Sequence, residues 1–587
     1  MTLRYRLFAL VAHCVAVSYV AAAPTVTVKN GTYVGFNDPV LNTDNFYGVA
    51  YAQPPLGDLR FRQPQGLNTT WEGERVVTSY PKQCITTGAN RSPTSMSEDC
   101  LYLAVIRPSN VTLENLPVLV FFTQGGFSNG GIGWLPDFNQ TGIVQRSAYL
   151  GSPIIGVEVN SRLGPWGFMY SQEIQDSLNT NLGLRDMRLA LAWIQENIAA
   201  FGGDPSRVTI QGQSTGAQSV GLQLLAYGGD HGNLFSGAIS ESGAPVWYAP
   251  TANTALWQPT YDGFVKAAGC SNATDSLQCL REVSNATLAD IFDNSTLNPF
   301  GSNAPREYMF AVDGDFIPEP NSVLLQSGKF ARVPYLIGTN FDEGTTVGPK
   351  GVNTTTDLNE YLVDEMLTID NTSLSMIGWL YPDIPEIGVP STYAGRPPAS
   401  VGYQYKRGCA VGSDIIMDAP TRLTTLAMAS FNSSVYRYHF NVVPNGYTDL
   451  QGATHGSEVA LTFYDLDGSG YTVPPIGGPN YEKLLDMANT MTAMWIGFVN
   501  SGDPNSLIKD ISPSTPTWPR YTLPNPQNYV FTINETLYVE PDTYRAEGIN
   551  WLMDMMIASK NQNCTSIEAC GGGYDITNGE TGGVYGY

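Results

Sequence analysis

The sequence predicts an α/β fold with a large, mostly parallel central sheet flanked by helices and carrying long insertions. Three observations support this. Short, continuously apolar runs rich in β-branched and aromatic residues recur along the chain. Stripes of apolar residues at helical spacing lie between them. No linker-like stretch interrupts the body between residues 25 and 560.

Taken in order, Leu116-Pro-Val-Leu-Val-Phe-Phe122 is the first such run, followed by Pro153 to Val159 and Arg207 to Ile210. Pro334 to Ile337 and Val435 to Phe440 follow. Strands buried on both faces read as unbroken apolar runs of this kind. Between them, Leu184, Met187, Leu191, Ile194 and Ile198 alternate spacings of three and four, which lines one face of a helix. Gly202-Gly203 and Pro205 end it. Leu484, Met487, Met491, Met494 and Phe498 form a second stripe, whose methionines read as core filler.

Composition narrows the function classes. The 587 residues carry 30 Lys+Arg against 53 Asp+Glu, a formal charge of −23, which repels phosphates. Nucleic acid and anionic membrane surfaces are therefore poor partners. No internal repeat is visible, which argues against solenoids and propellers.

The ends indicate the compartment. Residues 1–23 read as a signal peptide: Arg4 and Arg6, an apolar stretch from Leu7 to Val20, then Ala21-Ala22-Ala23. That stretch is too short for a membrane anchor, Pro24 follows it, and no later run of eighteen apolar residues occurs. Thirteen Asn-x-Ser/Thr sites are present, Asn30, Asn68, Asn139 and Asn353 among them. A secreted, extracellular glycoprotein with no stable membrane anchoring is expected. Short spacings make Cys84–Cys100, Cys270–Cys279 and Cys564–Cys570 the simplest disulfides, with Cys409 left as a buried thiol. Neither Cys-x-x-Cys nor clustered histidine points to a metal. Residues 24–560 read as a single domain, and the Gly-rich stretch 561–587 as a flexible tail.

Gly212-Gln213-Ser214-Thr215-Gly216 fits the Gly-x-Ser-x-Gly nucleophile elbow. Glycine makes up about a tenth of the chain, so the bare pattern is weak, and Gly126-Phe-Ser128-Asn-Gly130 matches it too. Context separates the two. A strand-like run precedes Ser214, and Ala217 to Ala226 follows with helical spacing. After Ser128 comes Gly-Gly-Ile-Gly-Trp-Leu-Pro136, which cannot hold a helix.

The segment from Phe201-Gly-Gly-Asp-Pro205 through Gly216 resembles the type-B carboxylesterase/lipase family, which includes cholinesterases, fungal lipases and the non-catalytic neuroligins. Gly48 to Phe61, Ser97-Glu-Asp-Cys-Leu-Tyr-Leu103, Asp313 to Pro318 and Trp518-Pro-Arg-Tyr521 resemble further blocks of that family, and the likeness spans about residues 25 to 560. The resemblance implies an α/β-hydrolase fold and a secreted serine carboxylic-ester hydrolase that needs no cofactor and acts on a small-molecule ester.

Such chemistry needs a base and a group to orient it. Of four histidines, His13 lies in the signal peptide, His439 in a strand and His231 in a polar loop. His455, in Gly452-Ala-Thr-His-Gly-Ser-Glu458, resembles the family's catalytic segment. His455 and Glu458 mimic two metal ligands, but no third is near. The acid is expected between serine and histidine in chain order. Phe341-Asp342-Glu343-Gly344 resembles the acid loop, with Glu343 at the motif position and Asp342 open as the alternative. The resemblance places the oxyanion donors at the N–H groups of Gly125, Gly126 and Thr215. Three departures from the family pattern stand nearby: Thr123-Gln124 replaces His-Gly, Gln213 replaces Glu, and Thr215 replaces Ala.

Related lipases carry a long apolar lid within the first disulfide loop. Here Ile85 to Asp99 is short and polar, which favours soluble or short-chain esters over a triacylglycerol lipase or sterol esterase. Trp134, Phe138 and Trp247, with Trp166 and Tyr248, are candidates to line the substrate pocket or to be ordinary core aromatics. The alternative from another class is a non-catalytic recognition ectodomain of the same fold, which the retained serine, acid and histidine disfavour. The sequence sets no oligomeric state.

Overall fold

The computed structural model describes residues 23–87, 91–92, 94–109, 111–133, 138–249, 251–293, 309–366 and 369–558. Residues 1–22 of the expected signal peptide, Trp134, Cys564, Cys570 and the expected tail therefore lie outside the described residues. Eleven strands form the central sheet. In chain order they are β1 (Phe36–Asp38), β2 (Thr43–Ala50), β3 (Tyr102–Pro108), β4 (Leu116–Phe122), β5 (Ile155–Val159), β6 (Gly203–Gln213), β7 (Gly237–Glu241), β8 (Tyr335–Asn340), β9 (Val435–Asn441), β10 (Gln527–Thr532) and β11 (Tyr538–Pro541). Their spatial order is β11-β10-β9-β8-β7-β6-β4-β5-β3-β2-β1. The run from β5 to β10 is parallel throughout. Antiparallel strands flank it on both sides.

The apolar runs read from sequence become the middle of this sheet. Every residue of β4, β5, β7 and β8 is buried. Side chains alternate between faces along β4: Val118 and Val120 join one core, and Leu119 the other. Helix α1 (Leu182–Asn197) covers the first face with Leu184, Met187, Leu191 and Ile194, all fully buried. The next helix, α2 (Thr215–Leu225), starts directly after Ser214. Helix α3 (Tyr481–Ser501) covers the second face with Leu484, Met491, Met494 and Trp495.

Two boundaries differ from the sequence reading. β5 starts at Ile155 rather than Pro153, because proline has no N–H to give the ladder. β6 starts earlier, at Gly203, through an irregularity that shifts its register on β4 before Val208. Two of the three expected disulfides are present, Cys84–Cys100 and Cys270–Cys279, the third lying outside the described residues, and Cys409 is a buried free thiol. Asn30, one of the sequon positions, is only 7% exposed and donates its amide to the Thr69 carbonyl at 2.8 Å.

Candidate active site

The carboxyl ends of the parallel strands converge on one edge of the sheet, where ligands bind in open α/β folds. β6 ends at Gln213 and the chain turns at Ser214 with φ 58° and ψ −126°, a left-handed backbone rare outside glycine. Such strain persists where its surroundings enforce it. Ser214 N donates to the Glu241 carbonyl at 2.9 Å, and Gln218 N donates back to the Ser214 carbonyl at 2.9 Å. Two close approaches require glycine. A Cβ on Gly212 would meet the Gly216 carbonyl carbon at 2.2 Å, and one on Gly243 would meet Ser214 O at 2.3 Å. Ser128, by contrast, sits in the turn between the two-residue strands Gln124–Gly125 and Asn129–Gly130, with no helix after it.

The loops after β8 and β9 bring Glu343 and His455 to the same edge. His455 Nδ1 lies 2.6 Å from Glu343 Oε2, and the Asn340 N–H donates to Glu343 Oε1 at 2.7 Å. Glu343 is fully buried. Asp342 faces away and accepts from the Ala453 N–H at 2.8 Å. Burial pushes the Asp342 carboxyl up to about 6. Burial also pushes the His455 imidazole down. The charge and hydrogen bond of Glu343, with Glu458 beyond it, outweigh that and leave it above the ordinary imidazole range. The other described histidines are elsewhere. His439 is buried in β9, stacked on Phe341 at 3.6 Å, and His231 packs on Phe235.

Of the carboxylates behind the histidine, sequence reasoning missed Glu241 and weighed Glu458 only as a metal-ligand mimic. Glu241 is fully buried at the end of β7, where Trp495 Nε1 donates to it at 2.6 Å and Gln211 Nε2 at 3.3 Å. Burial, then the Glu458 charge, pushes it up to about 8. Glu458, also fully buried, accepts from Asn340 Nδ2 at 2.5 Å and is pushed up to about 7 by burial and by Glu343. A glutamate closing the apolar run Gly237-Ala-Ile-Ser-Glu241 was the available signal. Gln213 stands with its amide nitrogen 3.3 Å from His455 Nε2.

A cavity of about 600 Å³ opens beside Ser214, lined also by Gly126, Thr215, Trp247 and Tyr248. Gly125 ends the short strand just before Gly126, and the Phe127 N–H reaches the Thr215 hydroxyl at 3.4 Å, so the Gly125–Phe127 turn abuts the start of α2. Trp247 stands in this wall. Phe138 stacks on Phe121 at 5.5 Å and packs edge-on against Phe463, in a satellite apolar cluster. Trp166 packs on Phe292 in another core cluster. Among the described residues, no group of three or more His, Cys, Asp or Glu is arranged to hold a metal ion.

The chain is similar to known proteins over most of its length. The Carboxylesterase family model matches residues 22–549. Lipase 2 of Geotrichum candidum is 31% identical over 549 residues, covering 86% of this chain and 91% of that protein. Secreted lipase 1 of Botryotinia fuckeliana is 32% identical over 534 residues, covering 86% and 88%. The crystal structure of Aspergillus niger EstA superposes with a TM-score of 0.77 at 28% identity, covering 91% of this chain and 99% of that one.

Proposed function

The chain belongs to the carboxylesterase family and is a carboxylic ester hydrolase, and on that premise we propose that Ser214, His455 and Glu343 carry the reaction through an acyl-enzyme. The observation that supports this most is the 2.6 Å contact of His455 Nδ1 with the buried Glu343 carboxylate, set beside a serine held in a left-handed elbow. With Nδ1–H donating a hydrogen bond to the Glu343 carboxylate, Nε2 keeps its lone pair for the serine.

In the first step Ser214 Oγ bonds to the ester carbonyl carbon while His455 Nε2 takes the hydroxyl proton. The carbonyl oxygen becomes an oxyanion facing the N–H groups of Gly125, Gly126 and Thr215, which lie beside the positive end of α2. Collapse breaks the bond to the alcohol, which leaves with the proton from His455. Water then repeats the sequence on the acyl-enzyme, releasing the acid and freeing Ser214. Glu343 stabilises the imidazolium at each stage.

Soluble or short-chain esters are the proposed substrates. The loop closed by Cys84–Cys100 turns its apolar residues Ile85 and Met96 into the core, which leaves its described part without the outward apolar face an interfacial lid needs. A second reading, a triacylglycerol lipase, draws on relatives such as the secreted triacylglycerol lipase of Gibberella zeae, 31% identical over 535 residues. Secreted relatives and two disulfides support an extracellular place of action. Among the described residues no helix is long and apolar enough to cross a membrane.

Hydrolysis of p-nitrophenyl esters from acetate to palmitate, with and without detergent micelles, tests this on the protein and on Ser214→Ala. The expected result is turnover greatest for the short esters in free solution and lost in the variant. A peak at the long esters that requires micelles would establish the lipase reading instead. Equal rates for both proteins would remove Ser214 from the chemistry.

A further inference from the structure

We propose that the side-chain hydroxyl of Thr215 is a further donor to the oxyanion, added to the backbone N–H groups. This rests on the reading of Ser214 as nucleophile and adds a catalytic group to the same site.

Thr215 opens α2 directly after Ser214, is partly exposed and lines the cavity beside the serine. Its Oγ1 accepts the Phe127 N–H at 3.4 Å. The hydroxyl therefore stands at the junction of the two backbone segments proposed to face the oxyanion, Gly125–Gly126 on one side and the start of α2 on the other. Its own proton meets no acceptor among the described residues.

The turn that meets the hydroxyl is firmly held. Gly126 has φ 61° and Phe127 φ 54°, a left-handed backbone that costs energy in a residue with a side chain. Phe127 is fully buried, packs on Phe168 at 4.7 Å and accepts the Gly164 N–H on its carbonyl at 2.8 Å. The direction of the Phe127 N–H is thereby fixed, and with it the lone pair of Oγ1 that receives it. The O–H proton lies off that axis and is left for a group bound in the cavity. A hydroxyl that accepts one hydrogen bond is polarised into a better donor. Alanine, the usual family residue here, would offer the Phe127 N–H no side-chain acceptor and would supply no O–H. An ester carbonyl oxygen gains its charge only as Ser214 attacks, so this donor acts on the transition state more than on substrate binding.

Two substrates test this: p-nitrophenyl acetate and its thiono analogue, in which sulfur replaces the carbonyl oxygen. Both are measured on the wild type, Thr215→Val and Thr215→Ser. Thr215→Val is expected to lower kcat on p-nitrophenyl acetate by about ten- to a hundredfold, with KM changed by less than about threefold. Sulfur is the weaker acceptor, so loss of the donor costs the thiono ester little. The oxygen-to-sulfur ratio of kcat/KM should fall by about tenfold in Thr215→Val and return towards wild type in Thr215→Ser. A purely structural role lowers both esters alike. Each ratio is internal to one variant, so a low yield of folded protein does not alter it, and Thr215→Ala serves where Thr215→Val fails to fold. Activity within about threefold of wild type in the variants lacking the hydroxyl overturns the proposal, as does a loss that leaves the ratio unchanged. Failure of the underlying reading looks different: Ser214→Ala would hydrolyse both esters as the wild type does.

Discussion

Replacing Glu343 by glutamine keeps the side chain's shape and removes one acceptor. Both carboxylate oxygens face donors, Oε1 the Asn340 N–H at 2.7 Å and Oε2 the His455 Nδ1 at 2.6 Å. An amide has one oxygen and one NH2 for these two places. The backbone donor cannot change its character, so the amide oxygen takes the Asn340 side and the NH2 faces His455. The imidazole then presents Nδ1 as acceptor and carries its proton on Nε2, the nitrogen proposed to receive the serine proton. The variant loses both the productive tautomer and the charge that stabilises the imidazolium. A fall in kcat/KM of roughly a thousand- to ten-thousandfold is expected, or about 4 to 5.5 kcal/mol of transition-state stabilisation. The assay is p-nitrophenyl acetate hydrolysis at fixed pH, with a thermal melt to show that the variant is folded. Asp342→Asn is the control, since Asp342 faces the Ala453 N–H, and it should stay within about tenfold of wild type. Activity of Glu343→Gln within tenfold of wild type, or a severe loss confined to Asp342→Asn, would refute the reasoning.

Three further outcomes are expected. Gln213→Glu sets a carboxylate where an amide now lies 3.3 Å from His455 Nε2; this raises the imidazole pKa further and moves the acid limb of the kcat/KM–pH profile up by about one unit, whereas an unmoved limb would mean that position 213 does not sense the base. The Glu241 carboxyl is held above its unfolded value by burial and Glu458, so its contribution to stability is present at low pH and is lost as pH rises towards about 8. Glu241→Gln should therefore flatten the fall of Tm across that window by one proton, about 1.4 kcal/mol per pH unit, with the slope due to Glu458 remaining; an unchanged slope would contradict it. Removing the Cys84–Cys100 bridge, which spans 16 residues, should destabilise the fold by about 3 kcal/mol by denaturant titration, against little change if the loop is held by packing alone.

The centre of the sheet was legible because strands buried on both faces are almost wholly apolar, as β4 is throughout and β5 is apart from Glu158. Its flanks were not. β1 is Phe-Asn-Asp and β11 is Tyr-Val-Glu-Pro, too short and too polar to stand out from loop. The elbow was legible from the combination of strand, glycines and helix around Ser214. The choice between Asp342 and Glu343 was open because it depends on which carboxylate the Ala453 N–H captures, a contact made more than a hundred residues away. Phe138 read equally as a pocket or a core aromatic, because one-dimensional sequence does not show that Phe121 and Phe463 would pack against it. Glu241 escaped notice, and Glu458 was weighed only as a metal-ligand mimic, because carboxylates are rarely fully buried and their burial follows from packing against distant strands and helices.

Covalent capture of the nucleophile tests the central claim most directly. The protein is treated with diethyl p-nitrophenyl phosphate, and the adduct is located by intact mass and peptide mapping. The account predicts one diethyl phosphoryl group per chain, on Ser214, with loss of ester hydrolysis in proportion to labelling. A label on Ser128 or any other side chain, or continued hydrolysis by protein fully labelled at Ser214, would contradict it.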